Sequence, residues 1–325
     1  MIITRTPFRV SFAGGGSDIA SFYEKHGGCV LSTAINKYMY ISVHPSFDEC
    51  ETVLKYSETE TVKDIKDIKH KYFKQVLSDL EVKGVELVST ADVPAGTGLG
   101  SSSSFTVGLL HSLYAYKGIY AGKERLAHEA CETEIEKLKN PIGKQDQYAA
   151  AYGGLNFYEF RRDGSVTVDP VIMDKPARNA LEENLMMLYT GKLHSASVIL
   201  KEQSTNITAG DKEKNQLKMC DLARQLRDEL TRGNIDAMGE ILHENWLLKK
   251  TLASGISNPD IDEAYDKAIK AGAIGGKLLG AGGGGFLLFY VPKEKQAAVR
   301  EKTGLPQMQM GFDRQGSVII FTGEK

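Results

Sequence analysis

The chain has 325 residues, 42% of them hydrophobic and 25% charged, a balance ordinary for a globular protein and a length sufficient for two domains. Forty basic residues against forty-two acidic ones give a formal net charge of −2, with no polybasic tail or stripe, which argues against nucleic acid as the main ligand. The four cysteines, Cys29, Cys50, Cys131 and Cys220, are widely spaced and form no CxxC pair, fitting neither a disulfide framework nor a zinc ribbon. No apolar run approaches the roughly 18–20 residues of a membrane span. No secretory leader is expected ahead of the first strand, so the expectation is a cytoplasmic protein with reduced thiols.

In chain order, "IITRTPFRVSFAG" alternates apolar and polar residues as a strand does, and "GGCVLSTAINKYMYISVHPS" reads as further strand. "IKHKYFKQVLSDL" has helical spacing at Ile68, Tyr72, Val76 and Leu80. "GVELVSTADVP" is a strand halted at Pro94, and "SSSSFTVGLLHSLYAYKG" a helix with Gly118 near its stop. "GKERLAHEACETEIEKL" is an amphipathic helix, and "GGLNFYEFRRDGSVTVDPV" a hairpin around Asp163-Gly164. Beyond about residue 178 the texture changes. A strand at "LMMLYTG" precedes long helical stretches over 212–230 and 235–252. A third helix over 258–272 has Asn258 as its N-cap and Pro259 at its first position. Strands at "GFLLFYVP" and "GSVIIF" flank a helix at "KEKQAAVREKTG". The pattern is α+β in two halves, 1–178 and 179–325, without internal repeats.

Glycine makes up 33 residues, above an average share of about 7%, and three stretches concentrate it: "AGGGSD" at 13–18, "PAGTGLGSSSS" at 94–104 and "GGKLLGAGGGG" at 275–285. The middle stretch follows a strand and opens a helix, a context that offers free backbone N–H groups and a positive helix end to an anion. It lacks the lysine of a P-loop, and its G-x-G-x-G spacing is not the dinucleotide fingerprint. From chemistry alone it is either a phosphate loop or a serine-capped glycine turn. Further on, Pro141 and Gly143 end a helix, and Asp146 opens the next one beside Lys144. That carboxylate is a candidate acceptor for a hydroxyl proton. Glu134 lies twelve residues earlier, and two carboxylates with a phosphate loop suggest Mg²⁺–nucleotide chemistry, although Glu132, Glu134 and Glu136 also read as a solvated helix face.

The segments "RTPFRVSFAGGGSD", "PAGTGLGSSSS" and "KLLGAGGGGF", in that order and with "GKQDQ" between the last two, together resemble the GHMP kinases. The resemblance implies the two-domain α+β fold of that family, a ribosomal-protein-S5-like half and a ferredoxin-like half with the site between them. It implies ATP bound over Pro94, Gly96, Thr97, Gly98, Leu99, Gly100, Ser101, Ser102 and Ser103, and Mg²⁺ on Ser102 and Glu134. By the same resemblance Asp146 is the catalytic base, and Arg9 the cation that steadies it and offsets charge on the moving phosphoryl group. The substrate would meet Gly15, Gly16, Ser17, Asp18, Lys144, Gly282 and Gly283.

Many family members read G-E-H-x-D where this chain has Gly-Gly-Gly-Ser-Asp. That variant is similar to the heptose kinase branch, which acts on the anomeric hydroxyl of a heptose 7-phosphate on the route to GDP-heptose for surface polysaccharide. Lys144, Lys192, His194, Lys249 and Lys250 are candidates to hold the distal phosphate. A fucokinase-like or galactokinase-like sugar kinase, or a non-catalytic sugar or nucleotide sensor, are the alternatives. The charge pattern supports no nucleic-acid or membrane partner, and a homodimer is allowed.

Overall fold

The structure, a computed structural model, describes residues 1–191, 196–207 and 210–323. Alternation in the first segment yields a twelve-residue strand, Ile2–Ala13, with Phe8, Val10 and Phe12 fully buried. It pairs antiparallel with an eighteen-residue strand, Gly28–Pro45. The register shifts between Pro7 and Phe8, where proline offers the ladder no N–H. The long strand serves two neighbours in turn. Gly28–Thr33 pairs with Leu155–Phe160, and Met39–Pro45 pairs with Val85–Ala91. Thr52–Lys55 and Thr59–Val62 extend the sheet beyond Val85–Ala91. Val166–Pro170 completes the expected hairpin with Leu155–Phe160. Helices Ser101–Tyr116, Lys123–Cys131 and Gln145–Tyr152 pack together, and the first and last of them lie against the two long strands.

A second, antiparallel sheet has the order Gln307–Met308, Leu185–Tyr189, Phe286–Tyr290, Gly275–Leu278. The unbroken apolar run Phe286–Tyr290 shows no alternation because both its faces are covered. Leu288 and Tyr290 join the large core shared with the first sheet, while Leu287 and Phe289 join a second cluster with Trp246, Ile261 and Tyr265. Helix Pro259–Lys270 starts as its sequence dictates, with Asn258 Oδ1 accepting from the Ile261 N–H at 3.1 Å. No helix among the described residues is long and apolar enough to cross a membrane.

A helix, Lys175–Asn184, which Asp174 caps through the Ala177 N–H at 2.6 Å, spans the division expected near residue 178. The structure departs from the sequence reading in two places. The strand at "GSVIIF", expected to stay with the second half, instead crosses back: Val318–Thr322 pairs antiparallel with Ile2–Arg5 in the first sheet. Two contacts anchor that return, since Ser317 Oγ lies 2.8 Å from the buried Thr6 Oγ1 and 2.9 Å from His111 Nδ1. Finally, the helix expected over 122–138 is regular only to Cys131 and then widens into a π-type turn, Glu132–Lys137.

These packing contrasts have a measurable consequence. Phe289→Ala should lower unfolding free energy by about 3–5 kcal/mol, the range for deleting a fully buried ring. Ile320→Ser on the exposed outer strand should stay within about 0.5 kcal/mol. Urea denaturation of both variants checks this, and equal effects would contradict the core assignment.

Candidate active site

The pleat of Ile2–Ala13 sends Phe8, Val10 and Phe12 into the core, and Arg9 and Ser11 toward a cleft between the two halves. Arg9 is nearly buried there and meets Asp146 as a bidentate pair, with Nε to Oδ1 and Nη2 to Oδ2 both at 2.7 Å. Its Nη1 donates to the Gly98 carbonyl at 2.7 Å, and its backbone N–H to the Leu99 carbonyl at 3.1 Å. One cation thus joins the first strand, the middle glycine loop and the helix that carries Asp146. Lys144, the sequence's own partner for Asp146, does not take that role. Its ammonium donates to the Gly164 carbonyl at 2.7 Å and sits over the Tyr23 ring, on the far side of the segment and off the cleft wall.

The middle loop winds through Gly96, Gly98 and Gly100, all with positive φ, before helix Ser101–Tyr116 begins. Gly96, Gly98, Gly100, Ser101 and Ser102 line the cleft, with the helix N-terminus behind them. The other residues of the expected nucleotide set stay off the wall. Thr97 is buried and donates to the Pro94 carbonyl at 3.0 Å, Leu99 packs in the core, and the Ser103 hydroxyl turns to Glu134. Pro94 is exposed at the loop's entry.

Glu134 is fully buried, which disfavours the solvated-face reading. The π-type turn explains how: the Leu138 N–H reaches back to the Thr133 carbonyl at 3.0 Å, so that consecutive residues Thr133 and Glu134 both point inward. Glu134 Oε2 accepts from Ser103 Oγ at 3.3 Å, while Oε1 has no partner. Burial, helped by the nearby Asp146 charge and opposed by hydroxyl donors, pushes its carboxyl up to about 8. A buried carboxylate with an orphaned oxygen, next to a serine-lined loop, is a donor set suited to a hard divalent cation. Ser102 lies exposed in the first turn of the helix that follows this loop.

The first glycine run is clamped from both sides. Gly14 has φ +85°, and a Cβ there would fall 2.1 Å from the Cys29 carbonyl oxygen, so no other residue fits. Its N–H donates to Asn245 Oδ1 at 3.3 Å, and its carbonyl accepts from Gln216 Nε2 at 3.2 Å, both side chains coming from helices of the second half. Ser17 is fully buried and exchanges hydrogen bonds with the Cys29 backbone, so it supports the loop and does not face the cleft. Gly15, Gly16 and Asp18 do face it. Asp18 accepts from the Gly16 N–H, the Gln145 N–H and Gln145 Nε2 at 3.0–3.1 Å, which ties this loop to the helix of Asp146. Burial, then the Asp146 charge, raise the Asp18 carboxyl against those backbone donors. Ser11 Oγ and Gln145 Oε1, on the same wall, have no protein partner and would be satisfied by a polar ligand.

The third glycine run packs directly on the middle one. A Cβ on Gly280 would fall 2.4 Å from the Gly98 Cα, and one on Gly98 would fall 2.7 Å from the Leu279 carbonyl oxygen. Gly280 and Ala281 line the cleft, whereas Gly282 and Gly283, expected against substrate, pack on Ile256. Two lysines join the wall. Lys249 was among the candidates, but Lys277 was not: its only sequence signal is one charge within the short, otherwise apolar strand Gly275–Leu278. Lys250 is directed away, to Asp262 at 3.2 Å, and Lys192 and His194 lie outside the described residues.

The family model for the GHMP kinases N terminal domain matches residues 63–154, and that for GHMP kinases C terminal matches 226–303. The chain is 31% identical, across 97% of each sequence, to a D-glycero-alpha-D-manno-heptose 7-phosphate kinase of Campylobacter jejuni. A crystal structure of a D-glycero-D-manno-heptose 1-phosphate kinase from Bacteroides thetaiotaomicron superposes with TM-score 0.82 over 100% of both chains at 24% identity, which speaks to the fold. Phosphomevalonate kinase of Streptococcus pneumoniae, in complex with phosphomevalonate and AMPPNP, gives TM-score 0.79 at 15% identity, covering 96% of this chain and 100% of that one. Matched in both halves and along nearly its whole length, the chain belongs to the GHMP kinase family and is an enzyme of the kinase class.

Proposed function

We propose that this kinase is a sugar kinase that transfers the terminal phosphoryl group of ATP to the anomeric C1 hydroxyl of D-glycero-D-manno-heptose 7-phosphate. The product is the 1,7-bisphosphate, a precursor of GDP-heptose for surface polysaccharide. The observation that carries the chemistry is Asp146, held bidentate by Arg9 on the cleft wall beside the middle glycine loop. The 31% identity to the Campylobacter enzyme supports the heptose.

Asp146 accepts the proton of the attacking hydroxyl. Each carboxylate oxygen has a second lone pair beyond the one that Arg9 occupies, so the pairing leaves it an acceptor. Arg9 fixes the carboxylate's plane and places positive charge beside Gly98 in the nucleotide loop. The N–H groups of the Gly96–Ser102 loop and the helix end behind it receive the phosphates. Gly15, Gly16 and Asp18 form the sugar side, with Ser11 and Gln145 supplying unpaired polar atoms. Mg²⁺ suits Glu134 and Ser102, and when bound it supplies charge neutralisation to the phosphates.

Three measurements test this reading. With ATP and Mg²⁺, heptose 7-phosphate should be phosphorylated in preference to heptose 1-phosphate, fucose, galactose and mevalonate. Preference for any of the others overturns the substrate assignment. Asp146→Asn should lower kcat by roughly 10²–10⁴-fold with a smaller change in KM, the loss expected of a general base, and a near-unchanged rate would remove Asp146 from that role. Mg²⁺ should raise the melting temperature of the nucleotide-bound protein and do so much less for Glu134→Gln. An equal rise in both would remove Glu134 as a ligand.

A further inference from the structure

We propose that Lys249 and Lys277 form, with Arg9, an anion seat on the inner wall of the cleft that holds the phosphoryl group in transit from nucleotide to acceptor. The inference rests on the reading that ATP is the donor, and it is independent of which sugar accepts.

Lys249 ends helix Ala237–Lys249, and Lys277 lies inside strand Gly275–Leu278. Both are nearly inaccessible, at 6% and 2%, yet both border the cleft. Each ammonium is pinned by two backbone carbonyls of neighbouring chain. Lys277 Nζ donates to Ser11 O at 2.8 Å and Phe12 O at 3.1 Å; Lys249 Nζ donates to Leu278 O at 3.4 Å and to Gly280 O. An ammonium has three donors, so each keeps one N–H beyond those bonds. Among the described residues neither lysine forms an ion pair. Buried cations without a counter-ion are costly, and hydrogen bonds to neutral carbonyls offset only part of that cost. A visiting anion supplies what the protein withholds.

Position identifies the anion. Gly280, which accepts from Lys249, abuts Gly98, whose carbonyl accepts from Arg9. The two cations therefore address one junction from opposite halves of the molecule, two residues along the loop from Gly100, where a Cβ would fall 3.1 Å from Asp146 Oδ2. During transfer the bond from the terminal phosphorus to the bridging oxygen breaks, and a bond to the acceptor oxygen forms. The acceptor's proton goes to Asp146. The lysines meet only the non-bridging oxygens and undergo no covalent change. Of the titratable groups around Lys249, Arg9 and Lys277 are basic; the Asp146 carboxylate is committed to Arg9, and Asp18 to Gln145. Burial first, and Arg9 second, lower the Lys249 ammonium to about 7. Burial, Lys249 and Arg9 together hold Lys277 well below the ordinary lysine range.

The test is calorimetric titration of the full chain with Mg·ADP and Mg·AMPPNP, comparing wild type with Lys249→Met, Lys277→Met and Lys249→Arg. Wild type should prefer AMPPNP to ADP and take up protons on binding AMPPNP near pH 8. Lys249→Met should lose about tenfold or more of that preference and the proton uptake, with ADP affinity within about twofold. Lys277→Met should lose part of the preference, and Lys249→Arg should keep most of it. The methionine variants replace a buried charge with an apolar chain of similar length, so their melting temperatures at pH 7 should equal or exceed wild type. Unchanged AMPPNP-to-ADP ratios and proton uptake in both methionine variants would overturn the proposal. Because no sugar is present, a failed heptose assay leaves this result standing. A wild type that binds neither nucleotide sinks the ATP reading itself.

Discussion

Arg9 draws together three segments that lie far apart in the sequence, and the rest of the site is arranged around that convergence. A planar guanidinium with five donors in fixed directions can satisfy a carboxylate edge-on and still reach a carbonyl at its side. The Asp146 and Gly98 contacts use that geometry, and the backbone bond to Leu99 completes it. With the middle loop fixed against the first strand, the third glycine run packs on it at Gly280 and Gly285, and on Ile256 at Gly282. It meets that loop backbone to backbone, at Gly98 and Gly280, where a side chain on either would collide.

The groups around the cleft are held in states that the folded protein alone does not favour. Glu134 and Asp18 are carboxylates pushed toward their neutral forms, and Lys249 and Lys277 are amines pushed toward theirs. Each shift has burial as its first cause; a bound phosphate would relieve those of the two lysines, and a bound cation that of Glu134. Unpaired Ser11 Oγ, Gln145 Oε1 and Glu134 Oε1 belong to the same pattern. Stability is spent here on a pre-arranged site.

Much of this was legible in the sequence, and the failures have physical reasons. Alternation predicted Ile2–Ala13, and the Asp163-Gly164 turn and the Asn258 cap were visible because their signals are local. The three glycine runs marked the backbone-rich walls of the cleft, and the ordered motifs placed Arg9 and Asp146 together before any coordinates. The π-type turn at Glu132–Lys137 was hidden, since its widening depends on what the turn packs against and not on residue period. Lys144 misled because proximity in sequence is not direction in space: at the helix start its side chain leaves on the opposite side from Asp146. Gln216 and Asn245, which clamp Gly14, could not be found from sequence because their significance exists only after two distant helices meet the first loop.

The return of Val318–Thr322 to the first sheet bears on how the molecule is made. Strand Ile2–Arg5 can find its inner neighbour, Gly28–Pro45, early in synthesis, but its outer neighbour emerges only after the whole intervening chain. Until then one edge of the first sheet presents unpaired N–H and C=O groups to any passing strand. Closing so long a loop carries a large entropic cost and makes this pairing a late event in folding. The growing chain is therefore most open to mispairing at that edge, and the apolar side chains of Ile319, Ile320 and Phe321 make the incoming strand a sticky partner.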